Sequence, residues 1–276
     1  MAGEHMLNLA GIAKQGSDTI FSWWARYQAA KAAGRDAVNG TIGALLEDDG
    51  TLAINKVVDA AIRISPEVEI SAYAPLAGLP AFLDLSKTLA FGETRTRFEE
   101  LGFSFTSTAT PGGSGALYLA ANNLLERGQS ALLRDRHWGP YNGFLTNNGI
   151  DFVTWPLLPP NGHDVHPYFA ADEFEIRLKE LCSKQDKVMV WLNDPAHNPT
   201  GLSMGDEGRA ACLSSFVTSA LNNEKTGHTL LIDSAYSLYA DEPHAWGETI
   251  LDAVESGMPW PENLLICIAI SLSKSH

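Results

Sequence analysis

The chain has 276 residues, 45% hydrophobic and 19% charged, the balance of a globular protein able to bury a real core. With 33 acidic against 19 basic residues its net charge is −14. Such a surface repels nucleic acid and anionic membranes, which excludes both as partners, although a local basic pocket for a phosphate remains open. No apolar run approaches the length of a membrane span, and the N-terminus MAGEHMLNLAG lacks the charged start and apolar core of a signal peptide. Cys182, Cys212 and Cys267 form neither a CxxC pair nor a zinc-ligand pattern. They read as reduced, buried thiols of a cytosolic protein.

Residues 17–33 predict a helix that Asp18 can cap, with Ile20, Phe21, Trp24 and Tyr27 near helical spacing. NGTIG (39–43) predicts a turn, and a second helix runs from about Leu52 to Ile64. A loop follows at 71–78, then a helix after Pro80. From residue 103 the pattern changes, with short apolar runs alternating with helical stretches. Strands are expected at 103–110, 130–135, 151–158, 187–194, 228–236 and 263–271. Helices are expected from Ala116, from Asp172 to about Ser183 and from about Asp206 to Asn223. Apolar strands without alternation are covered on both faces, and helical connections make them parallel. The expected fold class is therefore α/β, a mostly parallel sheet with helices on both faces. A domain break is expected near residue 50.

In open parallel sheets, ligands bind beyond the carboxyl ends of the strands. The polar residues just past the expected strands are Gly112, Gly113 and Ser114; Trp138; Asn198; Asp233 and Tyr236; Ser271, Ser273 and Lys274. TPGGSGAL (110–117) offers a glycine loop before a helix N-terminus, a seat for phosphate, though so short a motif taken alone is more often a plain strand-to-helix turn with a Ser cap. NDPAHNPTG (193–201) is a rigid turn that leaves the Asn198 amide free. His197 reads as a packed or solvated neighbour, with no second ligand at metal spacing. Asp233 ends a buried strand, where a carboxylate needs a partner; a protonated pyridine nitrogen would be one. Lys274 follows an apolar strand, and a lysine shielded from water there can attack a carbonyl. A lone lysine near a chain end is usually just exposed. It is the collection that has weight: a glycine loop, an aromatic ring, an amide, an acid, a phenol and a lysine suit a phosphorylated aromatic aldehyde.

These residues resemble the class I aminotransferases of pyridoxal-phosphate (PLP) fold type I, the aspartate and aromatic aminotransferase group. GGSGAL (112–117) is similar to the family's phosphate cup. Trp138 in HWGPY is similar to the ring that stacks on the pyridine, and Asn198 in HNPTG to the amide on the cofactor's phenolic oxygen. Asp233 and Tyr236 in DSAY resemble the pyridine-nitrogen partner and the second phenolic-oxygen donor. Ser271 and Lys274 in SLSK resemble the phosphate-binding Ser and the Schiff-base Lys. Tyr73 in YAPLAGL resembles the tyrosine that reaches the cofactor phosphate of a neighbouring subunit, which implies a homodimer with shared active sites. NGTIG resembles the loop that closes over substrate and points to Ile42 and Gly43.

The resemblance implies a cytoplasmic aminotransferase exchanging the amino group of an acidic or aromatic amino acid with a 2-oxo acid, Lys274 serving as general base. It makes residues 1–50 an N-terminal arm with part of a small domain, and 51–276 an incomplete PLP-binding large domain. The family's later arginines, for cofactor phosphate and substrate carboxylate, have no counterpart before His276. The expectation is a nearly complete cofactor site and an incomplete substrate site. A PLP-dependent C–S lyase or related eliminating enzyme, and a truncated non-catalytic fragment, are the alternatives.

Overall fold

A computed structural model of the protein describes residues 6–8, 11–12, 19–41, 43–160 and 168–275. The expected cap Asp18 and the expected substrate residue Ile42 lie outside the described residues. The chain divides into two compact units, Met1–Pro66 and Glu67–His276.

The first unit holds helix α1 (Thr19–Ala32) and helix α2 (Lys56–Ile64). Between them the turn expected at NGTIG closes on Asn39, whose Oδ1 accepts the Thr41 N–H at 3.1 Å and the Thr41 hydroxyl at 2.7 Å. Helix α2 starts four residues later than the sequence suggests. Leu52 is occupied in an antiparallel bridge with Leu46, and Asn55 caps the helix by accepting the N–H groups of Val57 and Val58.

The second unit opens with helices α3 (Glu67–Ser71), α4 (Pro80–Phe91) and α5 (Thr94–Glu100). The strand expected at 103–110 is not one. The segment is extended but pairs with no sheet neighbour among the described residues. Its alternation serves a different purpose. Phe103 and Phe105 insert among Phe91, Phe98 and Trp260 at ring separations of 4.6–5.9 Å. Ser107 donates to the Leu83 carbonyl and Ala109 N–H to that of Ala77. The segment is thus a strap anchored on helices.

Helix α6 (Gly112–Leu124) leads into strand β1 (Ser130–Arg134), followed by helix α7 (Pro140–Thr146) and β2 (Asp151–Trp155). Then come helix α8 (Ala171–Cys182), β3 (Lys187–Asn193), helix α9 (Gly205–Asn222), β4 (Gly227–Asp233), helix α10 (Ala245–Glu255) and β5 (Leu264–Ala269). All pairings are parallel, in the order β2-β1-β3-β4-β5. The α/β fold with a parallel sheet between helices is as the sequence predicts.

Alternate residues of each strand enter different cores, as the two-residue period of a strand requires. Leu132, Val190, Leu192, Leu230 and Ile232 pack with Phe174, Phe216 and Trp246 of α8, α9 and α10. Ala131, Leu133, Met189, Trp191 and Leu231 pack on the other face with Leu117, Tyr141 and Leu145 of α6 and α7. From β1 the chain builds β2 on one side and β3 on the other. The strand order therefore reverses between β1 and β3, the position where parallel sheets open a crevice at their carboxyl edge.

Beside that edge lies a buried ion pair. Arg209 Nε donates to Asp194 Oδ2 at 2.8 Å, with the two side chains 2% and 0% exposed. Trp246 Nε1–H and Met204 N–H complete the carboxylate's partners at 2.9 and 2.8 Å. Removing one member of such a pair strands the other. Arg209→Met is expected to lower unfolding stability by about 3–5 kcal/mol, measured by urea denaturation, while Asp206→Asn, at an exposed carboxylate that meets Arg209 Nη1, costs under about 1 kcal/mol.

Candidate active site

The glycine-rich segment is not a loop ahead of a helix but the first turn of one. Helix α6 begins at Gly112, before the expected start at Ala116, and no side chain caps it. Gly112 has φ +68°, a conformation glycine adopts without strain. Gly112 N–H bonds the Thr110 carbonyl at 2.7 Å, and the N–H groups that follow it in this uncapped first turn can receive an anion. A Cβ on Gly113 would lie 3.3 Å from Ser271 Cβ, so this first turn nearly touches the second residue after β5. Ser271 Oγ bonds Ser273 Oγ at 2.7 Å and accepts the Ser273 N–H. Gly113 and Ser271 come together, and exposed Ser114 lies on the same turn.

Asp233 ends β4 in register with Asn193 of β3 and Ala269 of β5, and is 6% exposed. Its Oδ2 accepts the Tyr141 hydroxyl at 2.5 Å and its Oδ1 the Ala235 N–H at 3.1 Å. Burial pushes the carboxyl above the ordinary aspartate range, while the Tyr141 and Ala235 bonds and the Lys274 charge oppose that rise. Asn193, buried beside it, donates from Nδ2 to the Asp233 carbonyl at 2.8 Å and accepts the Asn198 N–H on Oδ1 at 2.6 Å. This ties the turn after β3 to the end of β4. Asn198 Nδ2 then reaches the Tyr236 hydroxyl at 3.3 Å. The Asp194–Pro195 and Asn198–Pro199 peptide bonds are both cis, and Ala196 between them has φ +56°.

Trp138 makes edge-to-face contacts with Tyr141 and Phe144, at 5.6 and 5.9 Å between ring centres. Lys274 departs from expectation. It is exposed, not shielded, in a turn beyond the end of β5 in which Ser275 N–H bonds the Leu272 carbonyl. The Tyr239 hydroxyl donates to the Lys274 carbonyl. Tyr73 is wholly exposed, and Gly43 belongs to the first unit. The sequence does not mark Tyr141 and Asn193 as site residues, because neither lies beyond a strand end: Tyr141 is in α7 and Asn193 is the last residue of β3. The signal for Tyr141 was its place three residues after Trp138, on the first turn of a helix.

The assembled groups can grip an anion at the α6 N-terminus, offer Asn198 and Tyr236 to a second oxygen, and face a buried carboxylate toward a cationic ring nitrogen. Among the described residues no group of three or more His, Cys, Asp or Glu is placed to hold a metal. None of the helices there is long and apolar enough to cross a membrane. All three cysteines are free, with Cys212 buried and the other two only partly so.

Residues 35–276 match the family model described as aminotransferase class I and II. The chain belongs to this family. It is 24% identical over 266 residues to the mitochondrial aspartate aminotransferase of Dictyostelium discoideum, covering 90% of this chain and 58% of that one. It is 26% identical over 207 residues to the mitochondrial aspartate aminotransferase of Schizosaccharomyces pombe, covering 74% and 42%. The solved aminotransferase of Anaerococcus prevotii superposes with a TM-score of 0.84 at 25% identity, covering 98% of this chain and 63% of that one. The cytoplasmic aspartate aminotransferase of Saccharomyces cerevisiae shares the fold, with a TM-score of 0.70 at 20% identity, covering 94% and 59%. This family member therefore spans under two thirds of the length of each of these relatives.

His197, beside the Asn198 turn, is buried with Nδ1 on the Thr200 hydroxyl at 2.8 Å. Burial, and then the Arg134 charge, lower its pKa to about 4. An unfolded histidine protonates near 6.5, so between the two values the unfolded chain binds the extra proton and stability falls as pH drops. That loss amounts to about 3 kcal/mol when complete. His197→Gln is expected to flatten the stability difference between about pH 7 and about pH 4.5, read from urea midpoints.

Proposed function

We propose that the chain carries the cofactor site of a PLP-dependent aminotransferase that moves an amino group between an acidic or aromatic amino acid and a 2-oxo acid. The observation that supports this most is the buried Asp233 carboxylate at the carboxyl edge, in register with Asn193 and beside the Asn198–Tyr236 pair. PLP, when bound, supplies an electron-withdrawing ring that stabilises charge at the substrate Cα. In this reading Gly112, Gly113, Ser114 and Ser271 hold its phosphate, and Trp138 covers the ring. Asn198 and Tyr236 hold its phenolic oxygen, and Asp233 keeps the ring nitrogen protonated. Lys274 anchors the cofactor and, once displaced, moves the Cα proton. Ile42 and Gly43 are assigned to the substrate side.

Reduction of the PLP-treated chain with borohydride, followed by peptide mass analysis, tests the cofactor reading. The expected result is a phosphopyridoxyl adduct on Lys274, lost in Lys274→Ala; no adduct, or adducts spread over surface lysines, sinks the proposal. Reaction type is read from products. Keto acid that appears only with an acceptor present indicates transamination, and ammonia released without one indicates elimination.

The same reading makes the protein a homodimer in the cytoplasm, with Tyr73 serving the neighbouring subunit's phosphate. Support comes from apolar side chains of the second unit left facing water: Val68, Ile70, Leu76, Phe82 and Leu85 are 53–105% exposed. The free cysteines suit a reducing compartment. Sedimentation equilibrium is expected to give twice the chain mass, and Leu76→Asp with Phe82→Asp to return it to one.

A further inference from the structure

Tyr141 is 1% exposed, and a phenylalanine would fill the same space. What the tyrosine adds is one hydroxyl, and that hydroxyl gives its proton to Asp233 Oδ2. The ring is held from three sides. Trp191 lies against it at 4.5 Å, tilted 39°; Trp138 meets it edge-on at 5.6 Å and 89°; His137 runs parallel to it at 6.2 Å and 6°. A phenol fixed this firmly has no freedom to choose another acceptor. It therefore fixes the carboxylate to which it is bonded, and fixes it relative to the Trp138 ring.

We propose that Tyr141 is a positioning residue that locks the Asp233 carboxylate at a set place and orientation beside Trp138 and keeps it ionised while no cation is bound. The donor is neutral, so it stabilises the anion without neutralising it. A lysine or arginine at the same place would satisfy Asp233 and leave nothing for a ring nitrogen. Burial and then the Asp233 charge hold the phenol's own proton well above its ordinary range, so it remains a donor throughout the neutral range. The other titratable groups facing the pair are Lys274 and Tyr236 from the chain beyond β5 and β4, and His137 stacked on the ring. The consequence for a bound cofactor rests on the function proposed above. The state of Asp233 in the cofactor-free chain does not.

The test uses the full chain without cofactor. Infrared titration follows the carbonyl stretch of protonated Asp233, assigned by its loss in Asp233→Asn. Tyr141→Phe is expected to move the midpoint to higher pH by about one unit, a tenfold change in proton affinity. An unchanged or lowered midpoint overturns the proposal. Circular dichroism and urea midpoints of Tyr141→Phe check that the fold is intact; should this variant not fold, Tyr141 ionisation is read in the wild type instead. Its ultraviolet phenolate signal is then expected at lower pH in Asp233→Asn, and an unmoved signal overturns the proposal. PLP affinity gives a separate arm. Tyr141→Phe is expected to weaken it about tenfold in the wild-type background and not at all in Asp233→Asn. Equal weakening in both backgrounds means simple packing and overturns the proposal. A wild-type chain that takes up no PLP defeats the cofactor reading alone, because the infrared result still decides the role of Tyr141.

Discussion

The rest of this site depends on one carboxylate buried at the end of a strand. Asp233 is carried by β4, whose neighbours on both sides are parallel and whose faces are both covered. The backbone is thereby rigid, and the acid's Cα is fixed in register between Asn193 and Ala269. Everything nearby serves that placement. Asn193 ties the strand end to the turn bearing Asn198, Tyr141 holds one carboxylate oxygen, and the Ala235 N–H holds the other. The sheet's topology makes this economical. Five parallel strands end on one edge, so residues far apart in sequence arrive together without a long excursion of any loop.

Two buried aspartates at this edge show opposite solutions to the same problem. Asp194 N–H bonds the Asp233 carbonyl at 3.3 Å, so the two backbones are adjacent. Asp194 meets a buried guanidinium, an indole N–H and a backbone N–H. Its charge is cancelled within the chain. Asp233 meets only neutral donors at its two oxygens; burial raises its proton affinity, and those donors oppose the rise. Had the fold required only stability, the second arrangement would be the poorer one.

The sheet was legible because continuous apolar runs such as KVMVWLN and GHTLLID have no other use in a protein of this size. Candidate residues followed from the rule that ligands gather at carboxyl ends. What failed had local causes. FSFTSTAT alternates like a strand, yet its phenylalanines found an aromatic cluster on α4 and α5 before any strand edge. The alternation does mark buried rings; what buries them is helices, not a strand edge. Gly112–Ala116 looked like a loop because glycine is a poor helix former, but a helix's first turn tolerates it, and Gly112 uses φ +68° to enter. The exposure of Lys274 was hidden because a strand pattern says nothing about what covers the turn after it.

Tyr141 was missed for a reason that applies to buried polar groups generally. Sequence marks residues whose chemistry is reactive; it does not mark a phenol whose entire effect is to hold another group still. Tyr141 enters the apolar core with Leu145 and Leu117, and by burial alone it is one more core aromatic. Only its partner distinguishes it. A tyrosine at 1% exposure must find an acceptor for its hydroxyl, and at the carboxyl edge of a parallel sheet the acceptor within reach is the acid the site is built around. The core and the site are therefore not separate layers here. The same ring that closes the packing on Trp191 sets the carboxylate, so a substitution that loosens the core face of α7 should act on Asp233 before it acts on the fold.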